Sequence, residues 1–305
     1  MTPAGPIPVI LNPRSGPGHS KDEIAEVRAA FREAGAEIRV LLVAAGSDPG
    51  ELAARAARER PPIVVAGGGD GTVSAVAAAL AGTGIALGVL PLGTLNHFAK
   101  DLGLSLELQQ AARDVVSGKS IAVDVGEVNG RVFVNNSSVG LYPQAVRYRE
   151  QLRRRLGHGK WRAMFWAAMT VLRRYPFLDV RLKIGAEDRR CRTPFVFIGN
   201  NKYAMEGFSI GRRRRIDCGE LSIYTTKPIG RLGLVKLALR ALFGRLRQAR
   251  DFEAMTAASA RIESRRRRQM LVATDGEVSM MEMPVEYRIR PRSLKVIVPA
   301  AAASA

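Results

Sequence analysis

The stretch VVAGGGDGTVSAVAAAL, residues Val64–Leu80, joins an apolar run to an alanine-rich run through three successive glycines and an aspartate. The apolar run predicts a buried β-strand, and the alanine-rich run predicts an α-helix. Glycine adds no packing and costs conformational entropy in either element, so three in a row indicate that something approaches the backbone here. The N–H groups of Gly67–Gly69 and the positive end of the following helix dipole suit an anion.

Asp70 follows these glycines and narrows the choice of anion. A carboxylate beside bound phosphates is repulsive unless a cation lies between them, so the loop and Asp70 together predict a nucleotide phosphate with Mg²⁺. Taken alone, the loop is equally compatible with a tight strand-to-helix turn in which Asp70 is the N-cap. The chain has no GxxxxGK[ST] motif and no GxGxxG that opens a helix, which excludes the Walker loop and the dinucleotide fingerprint.

The first 128 residues alternate short apolar runs with longer helical patterns. Strands are predicted at PVILN, EIRVLLV, PIVVAG and IALGVLPLG, and the helices between them include one with an N-cap at Ser20. This alternation is typical of a parallel sheet covered by helices on both faces, whose ligands bind at the carboxyl ends of the strands. Such ends carry NPRSG (Asn12–Gly16), GGGDGT (Gly67–Thr72) and PLGTLN (Pro91–Asn96).

After Asp124 strand-like runs become frequent, from RVFVNNSSVG to VEYRIR and SLKVIV. We therefore expect an α/β protein with two domains. Residues 1–128 form a parallel-sheet nucleotide-binding domain, and residues 129–290 form a mainly antiparallel β domain. Helices are predicted to be inserted in the second domain at about 142–174 and 229–249, and the final AAASA is predicted to be a disordered tail.

The charge of the chain predicts polyanionic partners. Its 305 residues include 47 basic and 28 acidic side chains, a net charge of +19. This excess favours nucleic acid, an anionic membrane or phosphorylated ligands. The N-terminus has no secretory pattern, no apolar run is long enough to span a bilayer, and Cys191 and Cys218 lack metal or disulfide spacing. These features favour a cytoplasmic protein that lies on a membrane without crossing it.

Six motifs in order resemble the diacylglycerol kinase catalytic-domain family, which includes sphingosine kinases and, more distantly, NAD kinases. The first three are the NPRSG and GGGDGT stretches and PLGTLNHFAKDLG (Pro91–Gly103). The others are VDVGEVNGRVFVNNSSVG, FIGNNKYAMEGFSIGRRRRIDCGELSIY and ATDGEV. The resemblance covers nearly the whole chain. It implies an ATP-dependent kinase fold whose last strand, within 291–300, returns to the first domain.

The resemblance also assigns roles to the loop residues. It implies that six residues of the first two motifs hold ATP phosphates and that Thr94 and Asn96 make further nucleotide contacts. For the first loop alone, a simple Pro-Ser-Gly turn is the favoured interpretation. The six residues that the resemblance assigns to ATP phosphates are Asn12, Ser15, Gly68, Gly69, Gly71 and Thr72.

Three carboxylates would organise the chemistry. The resemblance implies that Glu277 is the general base and that Asp70 and Asp124 organise Mg²⁺ through water. From local sequence alone, Asp124 is a solvent-facing strand residue, since it faces opposite to Val123 and Val125. Local sequence likewise predicts a hairpin turn at the Asp-Gly pair before Glu277.

Two positions depart from the family pattern. His97 stands where relatives often have aspartate, which is either a subfamily variant or a weakened Mg²⁺ network; we favour the variant because Asp70, Asp124 and Glu277 all remain. Cys218, in Asp217-Cys218-Gly219, stands where relatives with a structural Mg²⁺ site often have a second aspartate. A thiol is a poor ligand for Mg²⁺, so a structural metal at Asp217 is doubtful.

Basic and apolar side chains are mixed in two segments, Arg147–Arg174 and the run IGRLGLVKLALRALFGRLRQAR. Such segments suit an anionic membrane interface, although each is also compatible with a helix that packs on the β domain and exposes a basic face. The runs Arg212–Arg215 and Arg265–Arg268 are compatible with lipid phosphates or with solvated charge. No nucleic-acid-binding motif accompanies them, so we expect no nucleic-acid partner.

We therefore expect an ATP- and Mg²⁺-dependent kinase that phosphorylates a hydroxyl of diacylglycerol or a related lipid at the inner face of the membrane. One alternative is an NAD kinase-like phosphotransferase, and another is a member that binds nucleotide or lipid without catalysis. A homodimer is compatible with the sequence, which holds no signal for the oligomeric state.

Overall fold

The computed structural model describes residues 5–13, 21–141, 143, 177–204, 212–213, 215–226, 233, 236, 240, 252–265 and 267–300. The chain divides into two compact units. Unit 1 comprises residues 1–125, 215–218 and 290–305, and unit 2 comprises residues 126–214 and 219–289. Each unit is therefore built from segments that are distant in the sequence.

Unit 1 is built on a parallel sheet. The sheet has the order β2-β1-β3-β4, and the last part of the long strand β18 pairs in parallel with β4 through Lys295 and Val296. The elements are β1 (Ile7–Leu11), α1 (Lys21–Glu33), β2 (Ile38–Leu42), α2 (Pro49–Arg58), β3 (Ile63–Gly68), α3 (Asp70–Leu80), β4 (Ala86–Pro91), α4 (His97–Asp101), α5 (Leu108–Ser117), β5 (Lys119–Val128) and β18 (Val285–Val298).

Helices bury the apolar faces of this sheet. Phe31 of α1 and Val115 of α5 pack with Val9, Val65 and Leu90 of the strands in one cluster of buried side chains. Helices α2 and α3 contact each other, and both contact β3. The strands β1, β3 and β4 are buried along nearly their whole length, as expected when helices cover a parallel sheet, whereas the edge strand β2 is partly exposed.

Unit 2 consists of antiparallel sheets. One six-stranded sheet has the order β14-β13-β10-β7-β16-β17, and the first part of β18 continues a second sheet through β15, β8 and β9. The elements are β6 (Arg131–Phe133), β7 (Asn136–Gly140), β8 (Leu178–Ile184), β9 (Glu187–Thr193), β10 (Phe195–Asn200), β11 (Tyr203–Ala204), β12 (Arg212–Arg213), β13 (Leu221–Thr226), β14 (Phe252–Ala257), β15 (Ser259–Glu263), β16 (Gln269–Thr274) and β17 (Glu277–Glu282).

The inward-facing side chains of both sheets of unit 2 form one core. Val139, Ile198 and Val272 from the six-stranded sheet pack with Leu182 and Tyr287 from the other. The Tyr287 hydroxyl lies 3.2 Å from the Ser137 hydroxyl, and complete burial raises the pKa of Tyr287 well above its usual value. This arrangement is a β-sandwich.

The fold class predicted from sequence is confirmed, with a parallel α/β sheet followed by antiparallel β structure. No helix among the described residues is long and apolar enough to cross a membrane. The inserted helices predicted at about 142–174 and 229–249 lie almost wholly outside the described residues, as does the AAASA tail. The predicted domain bounds at 128 and 290 remain predictions, since the two compact units are defined by contacts within the structure and not by domain function.

Candidate active site

The loops after β1 and β3 meet through a side-chain hydrogen bond. Asn12 directly follows β1, and its Nδ2 donates to Oγ1 of Thr72 in the first turn of α3 at 3.0 Å. The Asn12 backbone N–H also donates to the Gly67 carbonyl at 2.9 Å. Thr72 is buried, so its hydroxyl is fixed in place. The structure thus brings together two of the predicted phosphate-binding residues, while Ser15 lies outside the described residues.

The glycines of this region differ in the space around them. A Cβ on Gly93 would lie 2.4 Å from Cα of Gly69, so the loops after β3 and β4 pass one another closely. A Cβ on Gly68 would lie 2.7 Å from Oγ1 of Thr72, so packing within the protein requires that glycine. A Cβ on Gly71 would meet nothing within 4 Å. Gly71 therefore has open space beside it, whereas Gly68 packs tightly against Thr72.

Asp70 is the first residue of α3, and Gly69 is its N-cap. The alternative in which Asp70 itself caps the helix is therefore wrong. Asp70 Oδ1 accepts a hydrogen bond from the backbone N–H of His97 at 2.7 Å, which fixes the carboxylate against the loop after β4. Among the described residues, Oδ2 of Asp70 has no hydrogen-bond partner. One carboxylate oxygen is thus held while the other remains available.

The loop after β4 is held by Asn96. This residue is buried and has a left-handed backbone with φ of 51°. Its side-chain amide donates to the carbonyls of Pro91 at 3.0 Å and Gly93 at 2.8 Å, and its Oδ1 accepts from the Gly93 N–H at 3.1 Å. These bonds shape the loop, while the neighbouring Thr94 is exposed. The predicted nucleotide contacts of both residues stay predictions.

Asp124 is buried, with 1% of its surface exposed. The local interpretation of a solvent-facing strand residue is therefore wrong. Its backbone N–H donates to the Ile216 carbonyl at 2.9 Å, and its Oδ1 accepts from the Arg292 N–H at 2.8 Å. Both partners lie far away in the sequence, which is why alternation within β5 could not predict the burial. The Arg292 backbone N–H therefore orients the buried Asp124 carboxylate within unit 1.

Glu277 lies in unit 2, directly after a tight hairpin turn. Thr274 pairs with Glu277 across the turn residues Asp275 and Gly276, which both have positive φ. The hairpin predicted from the Asp-Gly pair is thereby confirmed. The Glu277 side chain is 62% exposed and forms an ion pair with Arg131 of β6. Its carboxylate is therefore oriented by a neighbouring cation and accessible from solvent.

Asp275 is a residue whose role the sequence did not reveal. Its two carboxylate oxygens accept three backbone N–H groups, from Val134 at 2.8 Å and from Asn135 and Asn136 at 2.9 Å each. From a different direction, the buried guanidinium of Arg213 donates to the Val134 carbonyl at 2.6 Å and to Asn135 Oδ1 at 3.0 Å. The segment that follows β6 is thus fixed by two opposite charges. The Asp-Gly pair was the only local signal, and it indicated the turn alone.

Family comparison divides the chain into two matched parts. The family described as Diacylglycerol kinase catalytic domain matches residues 6–128, and the family described as YegS C-terminal NAD kinase beta sandwich-like domain matches residues 136–298. The chain belongs to the diacylglycerol kinase and YegS-like lipid kinase family. Kinases with this catalytic domain are phosphotransferases that use ATP. The family membership predicted from the six motifs is confirmed.

Curated relatives support the same family. The diacylglycerol kinase of Bacillus subtilis is 36% identical over 135 residues, which cover 43% of this chain and 45% of that protein. A probable YegS-like lipid kinase of Pseudomonas aeruginosa is 33% identical over 208 residues, which cover 66% of this chain and 67% of that protein. The matched part therefore spans just under half of the first relative and about two thirds of the second.

Solved structures of lipid kinase family members share the fold. A putative diacylglycerol kinase from Bacillus anthracis superposes with a TM-score of 0.74 at 21% identity, and covers 97% of this chain and 98% of its own. A second crystal structure of a diacylglycerol kinase from the same organism gives a TM-score of 0.70 at 19% identity. At these identities the superpositions show the fold alone.

One carboxylate oxygen at the start of α3 is of the kind that a hard cation prefers. Asp70 offers a carboxylate oxygen, and oxygen ligands are those that Mg²⁺ prefers. The described residues contain no preformed group of three or more His, Cys, Asp or Glu side chains that could hold a metal. At the second family position, Asp217 accepts hydrogen bonds from Arg215 at 3.1 and 3.3 Å, so a cation from the chain already occupies its carboxylate.

The basic segments lie mostly outside the residues that the structure describes. Arg147–Arg174 and most of the segment from Ile229 are outside the described residues, as are Arg214 and Arg266 within the two arginine runs. In the first run, Arg213 is buried and donates a hydrogen bond to the Val134 carbonyl. Its charge therefore stabilises the interior of unit 2 and is not exposed to solvent.

Proposed function

We propose that this protein is an ATP- and Mg²⁺-dependent lipid kinase that phosphorylates a hydroxyl of diacylglycerol or a related lipid. The observation that carries the proposal is the tip of β3. There, an open glycine and an available carboxylate oxygen lie together at the start of α3, in a chain that belongs to a lipid kinase family. We further propose that the enzyme works at the inner face of the cytoplasmic membrane, where such acceptors reside.

ATP phosphates would bind at the start of α3. The first N–H groups of a helix have no partner within the helix, and they carry the positive end of its dipole. The glycine backbone at Gly69 and Gly71 allows phosphate oxygens to approach these groups closely. The bond between Asn12 and Thr72 fixes the two loops around that position before the ligand arrives. Preorganised donors of this kind lose little entropy on binding.

Asp70 and Asp124 would organise Mg²⁺, in part through water. When bound, Mg²⁺ neutralises charge on the phosphates. Asp70 contributes the oxygen that His97 leaves available, and the His97 backbone keeps the carboxylate in one orientation. This contact uses the backbone of His97, so the change from aspartate to histidine at that position leaves it intact. Asp124 contributes a fixed negative charge whose orientation depends on the Arg292 N–H.

Glu277 would act as the general base that takes the proton from the acceptor hydroxyl. Its side chain is accessible, and Arg131 holds it from one side. The hairpin turn and the three amide bonds to Asp275 place the strand that carries Glu277. A base must be held within hydrogen-bond reach of the hydroxyl, so this rigid support is the expected setting for it.

The test measures transfer of labelled γ-phosphate from ATP to diacylglycerol in detergent micelles by the wild type, Glu277→Gln and Glu187→Gln. Glu187 is a matched control because it is also exposed and is also the first residue of a strand after a two-residue turn. General-base catalysis typically contributes about 10²- to 10⁴-fold, so Glu277→Gln should lower kcat by that factor while Glu187→Gln stays within about twofold.

Three results would contradict the proposal. Equal turnover by Glu277→Gln and the wild type would exclude Glu277 as the base. When NAD is supplied together with diacylglycerol, labelled NADP in place of a labelled lipid would favour the NAD kinase-like alternative. ATP binding with no transfer to any lipid would favour a member that has lost catalysis.

A further inference from the structure

The loop between β15 and β16 exposes arginines that have no acidic partner. Arg267 and Arg268 are both exposed, and among the described residues neither forms an ion pair or a side-chain hydrogen bond. By contrast, Arg39, Arg131 and Arg181, which are also on the surface, each pair with a carboxylate. The loop therefore keeps two cations available for a ligand from outside the chain.

These two arginines border a cavity of about 790 Å³ in unit 2. Three stretches of chain form its wall: the end of β15, the arginine loop and the turn between β17 and β18. A cavity of this size holds far more than one phosphate ion, and it matches the range of small-ligand sites. The lining residues are Arg261, Glu263, Ser264, Arg267, Arg268, Gln269, Glu282, Met283 and Pro284.

The charges of the cavity favour an anion. Glu263 is already paired, with Lys183 at 3.0 Å and with Arg261 at 2.8 Å. Arg261 also binds Glu286 at 2.7 Å, so this part of the wall is an internally balanced network. Of the remaining lining charges, Arg267 and Arg268 outweigh Glu282. The cavity therefore has an excess of positive charge on the side formed by the arginine loop.

Apolar side chains adjoin the same cavity. Met283 and Pro284 line it, and Met280, which is 51% exposed, lies on the same face of the edge strand β17 as the lining residue Glu282. Inorganic phosphate has no apolar part that could contact an exposed methionine, whereas a membrane surface presents phosphates together with apolar chains. The combination therefore favours a lipid headgroup over a free anion.

We infer that this cavity binds the headgroup phosphate of an anionic phospholipid and so docks unit 2 on the membrane surface. Arg267 and Arg268 would contact the phosphate, and the exposed Met280 would lie against the acyl boundary. The inference rests on the proposed function, since it names the place where a kinase of lipids meets the bilayer. Binding here would be separate from the transfer chemistry at α3 and Glu277.

The experiment measures co-sedimentation with vesicles of phosphatidylcholine, alone or mixed with phosphatidylglycerol, in the absence of ATP. It compares the wild type, the double variant Arg267→Ala/Arg268→Ala and the control Arg55→Ala/Arg58→Ala. Arg55 and Arg58 are exposed on α2 and have no acidic partner among the described residues, so the control removes the same charge elsewhere. Thermal melts of all three proteins establish that they are folded.

We expect the wild type to bind vesicles that contain phosphatidylglycerol. The loop variant should bind them about 10- to 30-fold more weakly, while the control stays within about threefold of the wild type. Equal losses in both double variants would reduce the effect to net charge and overturn the inference. Unchanged binding by the loop variant would also overturn it, as would full displacement from the vesicles by an excess of soluble glycerol phosphate.

Failure of this inference and failure of the proposed function are distinguishable. Vesicle binding is measured without nucleotide, and transfer is measured separately on diacylglycerol in detergent micelles. In micelles the loop variant should transfer phosphate at the wild-type rate, because neither arginine belongs to the catalytic machinery. A loop variant that loses micellar activity would contradict a docking role.

Discussion

Asp275 and Glu277 lie two residues apart, but they have different tasks. The Asp275 carboxylate is occupied by three backbone N–H groups, whereas the Glu277 carboxylate is exposed beside Arg131. The first therefore fixes the hairpin, and the second is available for chemistry. By local pattern both are acids that flank a glycine; the family resemblance singled out Glu277, and only the tertiary contacts reveal the role of Asp275.

The substitution Asp275→Asn tests this division. Asparagine keeps the size and tolerates the positive φ of 47°, but it replaces one acceptor oxygen with a donor that would face a backbone N–H. We expect a loss of about 2 kcal/mol in the free energy of unfolding, measured by denaturant titration. The control Asp188→Asn breaks a solvent-exposed ion pair with Arg181 and should change the free energy of unfolding far less than Asp275→Asn does. Equal losses in the two variants would contradict the account of Asp275.

Asp124 shows why single residues were difficult to interpret. Its neighbours in β5 indicated a solvent-facing side chain, yet the residue is buried beside Ile216 and Arg292. Those partners come from segments 92 and 168 residues away, and no local period records them. Only the resemblance to a known family singled out Asp124 as functional.

The glycine tip between β3 and α3 shows how elements position the site. Gly68 is required by the packing of Thr72, whereas the space beside Gly71 is open. If that space belongs to a phosphate, Gly71 is kept for the ligand and Gly68 is kept for the fold. Glycine is thus needed at Gly68 and at Gly71 for two different physical reasons, although the two positions are only three residues apart.

Two alanine substitutions separate these reasons. Gly71→Ala should leave the unfolding free energy unchanged or raise it by up to about 1 kcal/mol, because alanine favours a helix, while ATP binding weakens more than about tenfold. Gly68→Ala should cost about 1–3 kcal/mol of stability through overpacking against Thr72. Calorimetric titration and thermal melts measure both quantities. Full ATP affinity in Gly71→Ala would contradict a phosphate site at this tip.

At the scale of elements, the sequence predicted the central strands and the edge strand β2 but missed three other edge strands. The strands β9, β14 and β17 were not predicted, and each ends a row of its sheet. Edge strands are exposed on one side and carry charges that discourage aggregation, so β9 (EDRRCRT) has little apolar alternation to detect. Helix α5 was also missed, because its buried face consists mainly of Ala111, Ala112 and Val115.

β18 was predicted as two separate runs because Pro291 and Arg292 interrupt the pattern. In the structure it is one strand from Val285 to Val298, although Arg292 has a φ of 48°. Its first part pairs with β15, and its last part pairs with β4. The change of pairing partner along one strand is a property of the assembled chain that no local pattern contains.

At the scale of the whole molecule, the chain terminus contributes to unit 1. Leu294, Val296 and Val298 are buried there, and the Ser293 carbonyl accepts from Gly82 at 2.6 Å. A variant that ends at Ile289 should therefore lose the ATP affinity and most of the cooperative melting of unit 1, because it exposes the edge of β4 and removes the Arg292 contact to Asp124. A variant that ends at Ala300 is the control and should retain both. Retained ATP affinity in the shorter chain would contradict this role for β18.

The measurement that tests the central claim most directly is a competition between acceptors. The wild-type protein receives γ-labelled ATP, Mg²⁺, NAD and vesicles that contain diacylglycerol, and the lipid and aqueous products are separated. The account predicts that the label enters the lipid fraction and that chelation of Mg²⁺ abolishes this transfer. Label in the NAD fraction, or label released only as inorganic phosphate, would contradict it.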